Sequence, residues 1–249
     1  MRYYYDTEFL EGKQKNSFPL SLFKKETKPT IDLISIGIVS EDGREYYAIS
    51  KDFNLKEAWN RWQQRTGEGD RNNIEPRLYW IRENVLKPIF YELSGKDITF
   101  HDINKFFTYT NFKKLINKYG KTNELIAEEV KEFFKPKRDF NHHGYVVNYS
   151  EIKNPILYGY YSAYDHVVLC WLFGKMIDLP NGFPMHTIDL KQMLDQKIRN
   201  IENCITVESF EKHLVYCKNH SNYPKQENAH NALDDAKFNK KLHKFILLL

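Results

Sequence analysis

The sequence lacks any hydrophobic run that could cross a membrane, because it contains no stretch of about 18 consecutive apolar residues. Charged residues make up 28% of the chain and the mean hydropathy is −0.65, which argues further against a membrane protein. The first ten residues include Arg2, Asp6 and Glu8 and therefore do not predict a signal peptide.

Cysteine is also scarce. The three cysteines are an odd number and show no CxxC spacing: Cys170, Cys204 and Cys217. This pattern predicts neither a disulfide framework nor a zinc site. We therefore expect a reducing compartment, the cytoplasm.

Apolar and aromatic residues, by contrast, are plentiful. The 249-residue chain is 41% hydrophobic, enough for a core in one enlarged domain or two small ones. It carries 17 Tyr, 17 Phe and a net charge of +4. This combination mildly favours a polyanionic partner whose bases could stack on rings, although most aromatics are expected in the core.

Hydrophobic periodicity predicts one α/β domain with a mixed sheet. Strands are expected at 2–5, 31–39, 45–49, 156–161 and 185–190. Helices are expected at 55–62, 78–90, 106–119, 124–134, 167–173, 190–198, 207–216 and 231–249. The lysine-rich segment 10–30 is interpreted as a long exposed loop, and 138–155 as a second loop.

The first signal with chemical content is Asp6-Thr7-Glu8, directly after the Tyr3–Tyr5 strand. Period-two geometry puts Asp6 and Glu8 on the same side of a strand, where their charges repel unless a cation neutralises them. Their carboxylate oxygens suit Mg²⁺ or Mn²⁺. An isolated pair of this kind is more often a solvated strand end.

Three further signals follow along the chain. Asp165 opens a helix after a hydrophobic strand, where it could also serve as a helix cap. His230 precedes the adjacent acids Asp234 and Asp235 at the start of the last helix. The segment 186–189, His-Thr-Ile-Asp, is interpreted as a structural strand end.

The order of these signals resembles that of the DEDDh 3′→5′ exonucleases, the large family of ribonuclease T and the polymerase proofreading subunit. Asp6 and Glu8 match its first motif. Asp165 matches the second, and His230 with Asp235 matches the third. Many members carry Asn shortly before the acid of the second motif, whereas this chain has Tyr-Ser-Ala-Tyr-Asp at 161–165.

A tighter similarity, over about residues 1–9, 31–90 and 124–249, is to the bacterial ribonuclease AS group. It rests on the segments 1–9, 33–39, 41–48 and 163–170. The resemblance implies a ribonuclease H-like mixed sheet flanked by helices, in a single domain over residues 1–249 with insertions at about 10–30 and 91–123. It also implies an exoribonuclease that prefers adenylate and forms a homodimer.

The resemblance further implies a two-metal mechanism that releases nucleoside 5′-monophosphates from single-stranded RNA. The two Mg²⁺ ions, for which Mn²⁺ could substitute, would be held by four carboxylates: Asp6, Glu8, Asp165 and Asp235. His230 would be the general base. Substrate contacts are assigned to Thr7, Phe9 and Ser162.

One geometric question remains open in the third motif. On a regular helix the residue at i+4, Asp234, shares a face with His230, whereas the family pattern selects Asp235 at i+5. Asp235 fits if His230 lies in or before the first turn, off the helical path. Asp235 is the first choice and Asp234 the second.

Two other functions compete with the exoribonuclease. A 3′→5′ DNA exonuclease of the same fold would use the same acids, and a non-catalytic nucleic-acid-binding module would keep only the fold. The stretch 105–138 carries a net charge of +5 and could guide RNA, although such a run is usually a solvated helical face. Tyr164 is a further candidate for base stacking.

Overall fold

Alternating apolar residues build a five-stranded sheet at the centre of the fold. The computed structural model describes residues 1–16, 22–62, 78–95, 102–135, 154–201, 204 and 206–249. The strands are β1 (Arg2–Gly12), β2 (Thr30–Ser40), β3 (Glu45–Ile49), β4 (Ile156–Gly159) and β5 (Ile188–Asp189), in the order β3-β2-β1-β4-β5. β1–β2 and β2–β3 are antiparallel, and β1–β4 and β4–β5 are parallel. The predicted mixed sheet is confirmed.

Helices flank the sheet at most of the predicted positions. They are α1 (Leu55–Asn60), α2 (Lys87–Leu93), α3 (Ile103–Phe106), α4 (Tyr109–Tyr119), α5 (Asn123–Phe133), α6 (Ala163–Leu172), α7 (Leu190–Arg199), α8 (Val207–Lys218) and α9 (Ala232–Leu248). A π-helical turn, Arg82–Leu86, runs directly into α2. Among the described residues, no helix is long and apolar enough to cross a membrane.

Successive residues of β1 pack on opposite faces of the sheet. Tyr3 and Tyr5 join a buried cluster with α5 and α6. Tyr4 joins the cluster formed with α7, α8 and α9, and its hydroxyl lies 2.8 Å from Nδ1 of the buried His243. This alternation sends Asp6 and Glu8 toward the face covered by α9.

The structure corrects two element boundaries. β1 continues through the acidic motif to Gly12, and Leu10 is fully buried, so the predicted exposed loop 10–30 is wrong at its start. β5 is only two residues long instead of the predicted six, because Asp189 accepts hydrogen bonds from the Lys191 and Gln192 amides and so begins α7. The predicted loop 138–155 lies almost entirely outside the described residues.

Gly37 allows the start of α9 to lie directly against the sheet. It pairs with Asp6 across the β1–β2 ladder. A Cβ atom at this position would lie 2.3 Å from the backbone of Ala232 and Leu233, much closer than any real contact. The absence of a side chain at Gly37 therefore sets the height of α9 above the acids of β1.

We expect Gly37→Ala to lower the thermal midpoint by roughly 2–12 °C, since overpacking costs about 1–3 kcal/mol and each kcal/mol shifts the midpoint of a chain of this size by about 2–4 °C. Gly43→Ala is the control, because its φ of +90° imposes backbone strain but nothing lies within 4 Å of its Cβ. Differential scanning calorimetry compares them. A Gly37→Ala loss no larger than that of Gly43→Ala would contradict the packing argument.

Candidate active site

The sheet opens where the acidic motif of β1 begins. The parallel pairing of β1 with β4 extends from Arg2 to Tyr4. Asp6 and Glu8 therefore lie just past the carboxyl end of β4, where β1 stays paired with β2 but no longer with β4. The register with β2 shifts between Glu8 and Phe9, which turns the strand at this point. Crevices at such positions in open α/β sheets are common ligand sites.

Asp165 is brought to the same place by Thr7. The carboxylate lies in the first turn of α6 and is buried. Its Oδ1 accepts hydrogen bonds from the Thr7 amide at 2.9 Å and from the Thr7 hydroxyl at 2.6 Å. Thr7 therefore supports this acid. It also lines the cleft, so its contact with substrate stays a prediction.

His230 and Asp235 meet in front of α9. His230 has a φ of +70° and precedes the helix, whose N-cap is Asn231. The backbone amide of His230 donates to Oδ2 of Asp235 at 2.9 Å, and Gln226 donates to Oδ1 at 2.6 Å. Asp235 lines the cleft, whereas Asp234 accepts from Asn228 and pairs with Lys237. His230 thus lies off the helical path, the condition under which the i+5 spacing works.

Burial, together with nearby negative charge, perturbs all four carboxyl groups. Burial, reinforced by Asp165, Glu8 and Asp235, raises the pKa of Asp6 well above its usual range. Burial also raises the pKa of Glu8 and Asp235, and it raises that of Asp165 to about 6 despite the Thr7 hydrogen bonds. Four carboxyl groups that resist ionisation together form a site that a divalent cation would stabilise.

His230 contacts this acidic cluster from one side. Its Nδ1 lies 3.5 Å from Oε1 of Glu8, and this contact raises the imidazole pKa. Single ligand atoms of Glu8, His230 and Asp235 all lie within 4.8 Å of one another, close enough to hold a metal ion. The ring of Trp80 packs edge-on against His230 with 4.7 Å between centroids and so limits its rotation.

The acids line an open cleft of about 540 Å³. Phe9 also lines it and packs edge-on against the exposed ring of Tyr164, with centroids 6.0 Å apart. Ser162 does not: it is 3% exposed and lies against Gly159, so the structure does not support its assignment to substrate. The cleft is therefore lined by both carboxyl groups and aromatic rings.

Several described residues of the cleft were not predicted from the sequence: Tyr160, Tyr161, Lys218, Tyr223, Gln226 and Asn239. Most lie in segments where no residue pattern in the sequence marks a site. Tyr161 had a readable signal, since it is a large aromatic residue at the turn between a strand and the helix that carries Asp165. The segment 186–189 is structural, as interpreted, because Asp189 caps α7 and also accepts from the Ser162 amide at 3.0 Å.

The positive stretch 105–138 does not reach the cleft in its described part, residues 105–135. Three of its lysines form ion pairs with glutamates of α5: Lys121 with Glu129, Lys131 with Glu128 and Lys135 with Glu132. This arrangement fits the solvated helical face that such a run usually forms.

Comparison with known proteins identifies the family of this chain. A family model described as the 3′-5′ exoribonuclease Rv2179c-like domain matches residues 24–247, a range that includes Asp165, His230 and Asp235. The chain is 28% identical over 197 residues to the 3′-5′ exoribonucleases Rv2179c and MT2234.1 of Mycobacterium tuberculosis, strains H37Rv and CDC 1551. Each alignment covers 79% of this chain and 76% of the relative. This chain belongs to the Rv2179c-like 3′-5′ exoribonuclease domain family.

Proposed function

We propose that this chain is a metal-dependent 3′→5′ exoribonuclease that shortens single-stranded RNA from its 3′ end and releases nucleoside 5′-monophosphates. The observation that carries the proposal is the meeting of Asp6, Glu8, Asp165, Asp235 and His230 in one open cleft. These residues come from three distant parts of the chain, and core packing alone does not account for four carboxyl groups placed together.

The donor set fits Mg²⁺ or Mn²⁺. The ligands would be hard carboxylate oxygens, and the raised pKa values show how costly it is to ionise these groups together without a cation. Asp235 is assigned as the fourth ligand in preference to Asp234. When bound, the ions supply Lewis-acid activation of water and charge stabilisation at the leaving 3′ oxygen.

The chain's own residues account for the proton transfer. His230 accepts a proton from the water that attacks the phosphorus, while the 3′ oxygen of the upstream nucleotide leaves. Contact with Glu8 orients the imidazole and strengthens it as a base. Thr7 holds Asp165 in place, and Gln226 does the same for Asp235.

The finer fold and substrate assignments extend the same proposal. The strand order and the helical layers on both faces support a ribonuclease H-like fold of the DEDDh type. Phe9 is assigned to contact the 3′-terminal base. The adenylate preference, the homodimer, the cytoplasmic location and the insertions at about 10–30 and 91–123 stay predictions from the resemblance.

Incubation of RNA with Mg²⁺ tests the activity directly. With a 5′ label, we expect a ladder that shortens stepwise; with a 3′ label, the label should appear at once as a nucleoside 5′-monophosphate. Asp6→Ala is the inactive control. RNA that is not shortened, or is shortened equally well by Asp6→Ala, would contradict the proposal. Equal rates on matched DNA would instead favour the DNA exonuclease, and a panel of poly(A), poly(U) and mixed RNA tests the base preference.

A further inference from the structure

We infer that Tyr161 is a substrate-binding residue of this cleft, on whose ring the penultimate base of the RNA stacks. The inference rests on the proposed exoribonuclease function and adds a contact on the side of the acids away from Phe9. Its starting point is the backbone of Tyr161.

Tyr161 is held in a conformation that a tyrosine adopts at a cost. Its φ is +55°, in the left-handed region, where Gly and Asn are favoured and an aromatic residue is uncommon. The surrounding turn enforces this conformation. The next amide, that of Ser162, donates to Asp189, and the Ser162 side chain lies so close to Gly159 that a Cβ there would be 2.6 Å from its Cβ. Strain of this kind persists only where the surrounding structure enforces it, and it is concentrated at active sites and ligand-binding positions.

The ring of Tyr161 packs little into the core, so its packing does not offset the backbone strain. It is 66% exposed and lines the cleft beside the acids. Its neighbour Tyr160 supports it edge-on, with centroids 4.8 Å apart, and Tyr160 in turn joins the buried cluster beneath α9. Tyr161 therefore offers an open aromatic surface on a rigid support, which is what base stacking needs.

Position within the cleft assigns this surface to one base. Phe9 packs with the cluster on the α5–α6 face of the sheet, whereas Tyr160 packs with the cluster on the α7–α9 face. The ring of Tyr161 contacts Tyr160 and Lys191 of α7, and both Phe9 and Tyr161 line the same cleft as the acids. Because the scissile phosphate joins the terminal and penultimate nucleotides, a terminal base against Phe9 leaves the penultimate base on the side of Tyr161.

Two lysine side chains near Tyr161 are suited to contact the phosphate backbone of the same RNA strand. Lys218 lines the cleft, and Nζ of Lys191 lies 6.0 Å from the centre of the Tyr161 ring. Lys191 is also paired with Asp195, which fixes its position. An aromatic surface next to ammonium groups is the usual arrangement for binding single-stranded nucleic acid.

The decisive variant is Tyr161→Asn, because Asn tolerates the left-handed backbone but has no ring. We expect the KM for a short 5′-labelled oligoribonucleotide to rise about tenfold while kcat changes by less than about twofold. The thermal midpoint should stay the same or rise. Tyr161→Phe should restore the parental KM. Tyr216→Asn, at an equally exposed tyrosine of α8 (72%), is the matched control and should leave KM unchanged.

Abasic substrates locate the contact. Removing the penultimate base should raise the KM of the parent protein and cancel the effect of Tyr161→Asn, whereas removing the terminal base should leave that effect intact. An unchanged KM in Tyr161→Asn, or an effect indifferent to which base is missing, would overturn the inference.

A binding assay separates this inference from the proposed function. Fluorescence anisotropy with Ca²⁺ in place of Mg²⁺ measures the affinity for RNA without relying on turnover, since Ca²⁺ also binds carboxylate oxygens. If the parent protein degrades RNA and Tyr161→Asn equals it in KM and affinity, only this inference fails. If the parent protein degrades no RNA, the proposed function fails, and the comparison of affinities still decides whether Tyr161 binds RNA.

Discussion

Asp6→Asn should reduce RNA hydrolysis by about 10³-fold or more and at the same time stabilise the metal-free protein. The loss of activity follows because a ligand of the proposed ions is removed, and metal-ion catalysis supplies several kcal/mol of charge stabilisation, each 1.4 kcal/mol being a factor of ten. The stabilisation follows because burial and three neighbouring acids raise the pKa of Asp6 far above its value in the unfolded chain.

The direction of this stability change depends on pH. A carboxyl group whose pKa is raised by folding contributes its full stability below its ordinary pKa in the unfolded chain and loses it as the pH rises through the raised pKa. At neutral pH, replacing Asp6 by an uncharged amide therefore removes the cost of either burying a charge or taking up a proton on folding. We expect the thermal midpoint to rise by about 2–4 °C for each kcal/mol recovered. The gain should shrink as the pH falls toward the ordinary pKa of an aspartate, where Asp6 is protonated in the unfolded chain as well.

Calorimetry in EDTA and then in Mg²⁺ measures the stability of the metal-free protein and its stabilisation by the metal ion. Saturating Mg²⁺ should raise the midpoint of the parent protein by roughly 5–10 °C, because a ligand at 100 times its Kd contributes about 2.7 kcal/mol. Asp6→Asn should lose most of this increase. If Asp6→Asn is less stable than the parent in EDTA, or equally stabilised by Mg²⁺, the four carboxylates do not form the proposed cation site.

The adjacent acids of α9 provide the matched control. Asp235 faces the cleft, whereas Asp234 is engaged by Asn228 and Lys237 outside it. Asp235→Asn should therefore lose activity as Asp6→Asn does, and Asp234→Asn should stay within about twofold of the parent. The reverse result would make the second choice from the sequence the correct one.

His230→Gly should lower kcat by about 10²–10⁴-fold, the usual contribution of a general base, and imidazole in the buffer should restore part of the activity. Glycine is the informative replacement because it accepts the φ of +70° without strain and leaves space for the missing ring beside Glu8 and Trp80. Binding of RNA should change little.

The control for His230 is His186→Ala, which removes an exposed imidazole outside the cleft and should leave kcat unchanged. Rates over a series of imidazole concentrations measure the rescue. If His230→Gly loses RNA binding together with activity and is not rescued by imidazole, His230 has a structural role and does not act as the base.

Elements formed by strong local patterns could be predicted from the sequence. The alternation of Ile34, Ile36 and Ile38 marks β2, and the Glu41-Asp42-Gly43 turn places β3 directly after it. Thr122 and Thr206 cap α5 and α8 near the predicted starts. These signals are local, because a strand's two faces, a turn or a helix cap involve residues only a few positions apart.

Boundaries that depend on a distant partner could not be predicted in this way. Local propensity ends the first strand near Tyr5, but pairing with residues 30–37 of β2 carries it on to Gly12. The sequence likewise predicted six residues for the last strand, where pairing with β4 involves only Ile188 and Asp189. Strand length depends on which backbone lies alongside, and that backbone is far away in the chain.

The amino-acid sequence fixes which chemical groups this protein can use: the carboxylates of Asp6, Glu8, Asp165 and Asp235 and the imidazole of His230. How these groups are arranged depends on the tertiary structure. It brings Asp235 and not Asp234 into the cleft, because the left-handed backbone of His230 precedes α9, and it turns Thr7 toward Asp165. It also buries Ser162 and leaves the ring of Tyr161 open. The sequence specifies which side chains are present, whereas the orientation and exposure of those side chains follow from packing between segments that are far apart in sequence.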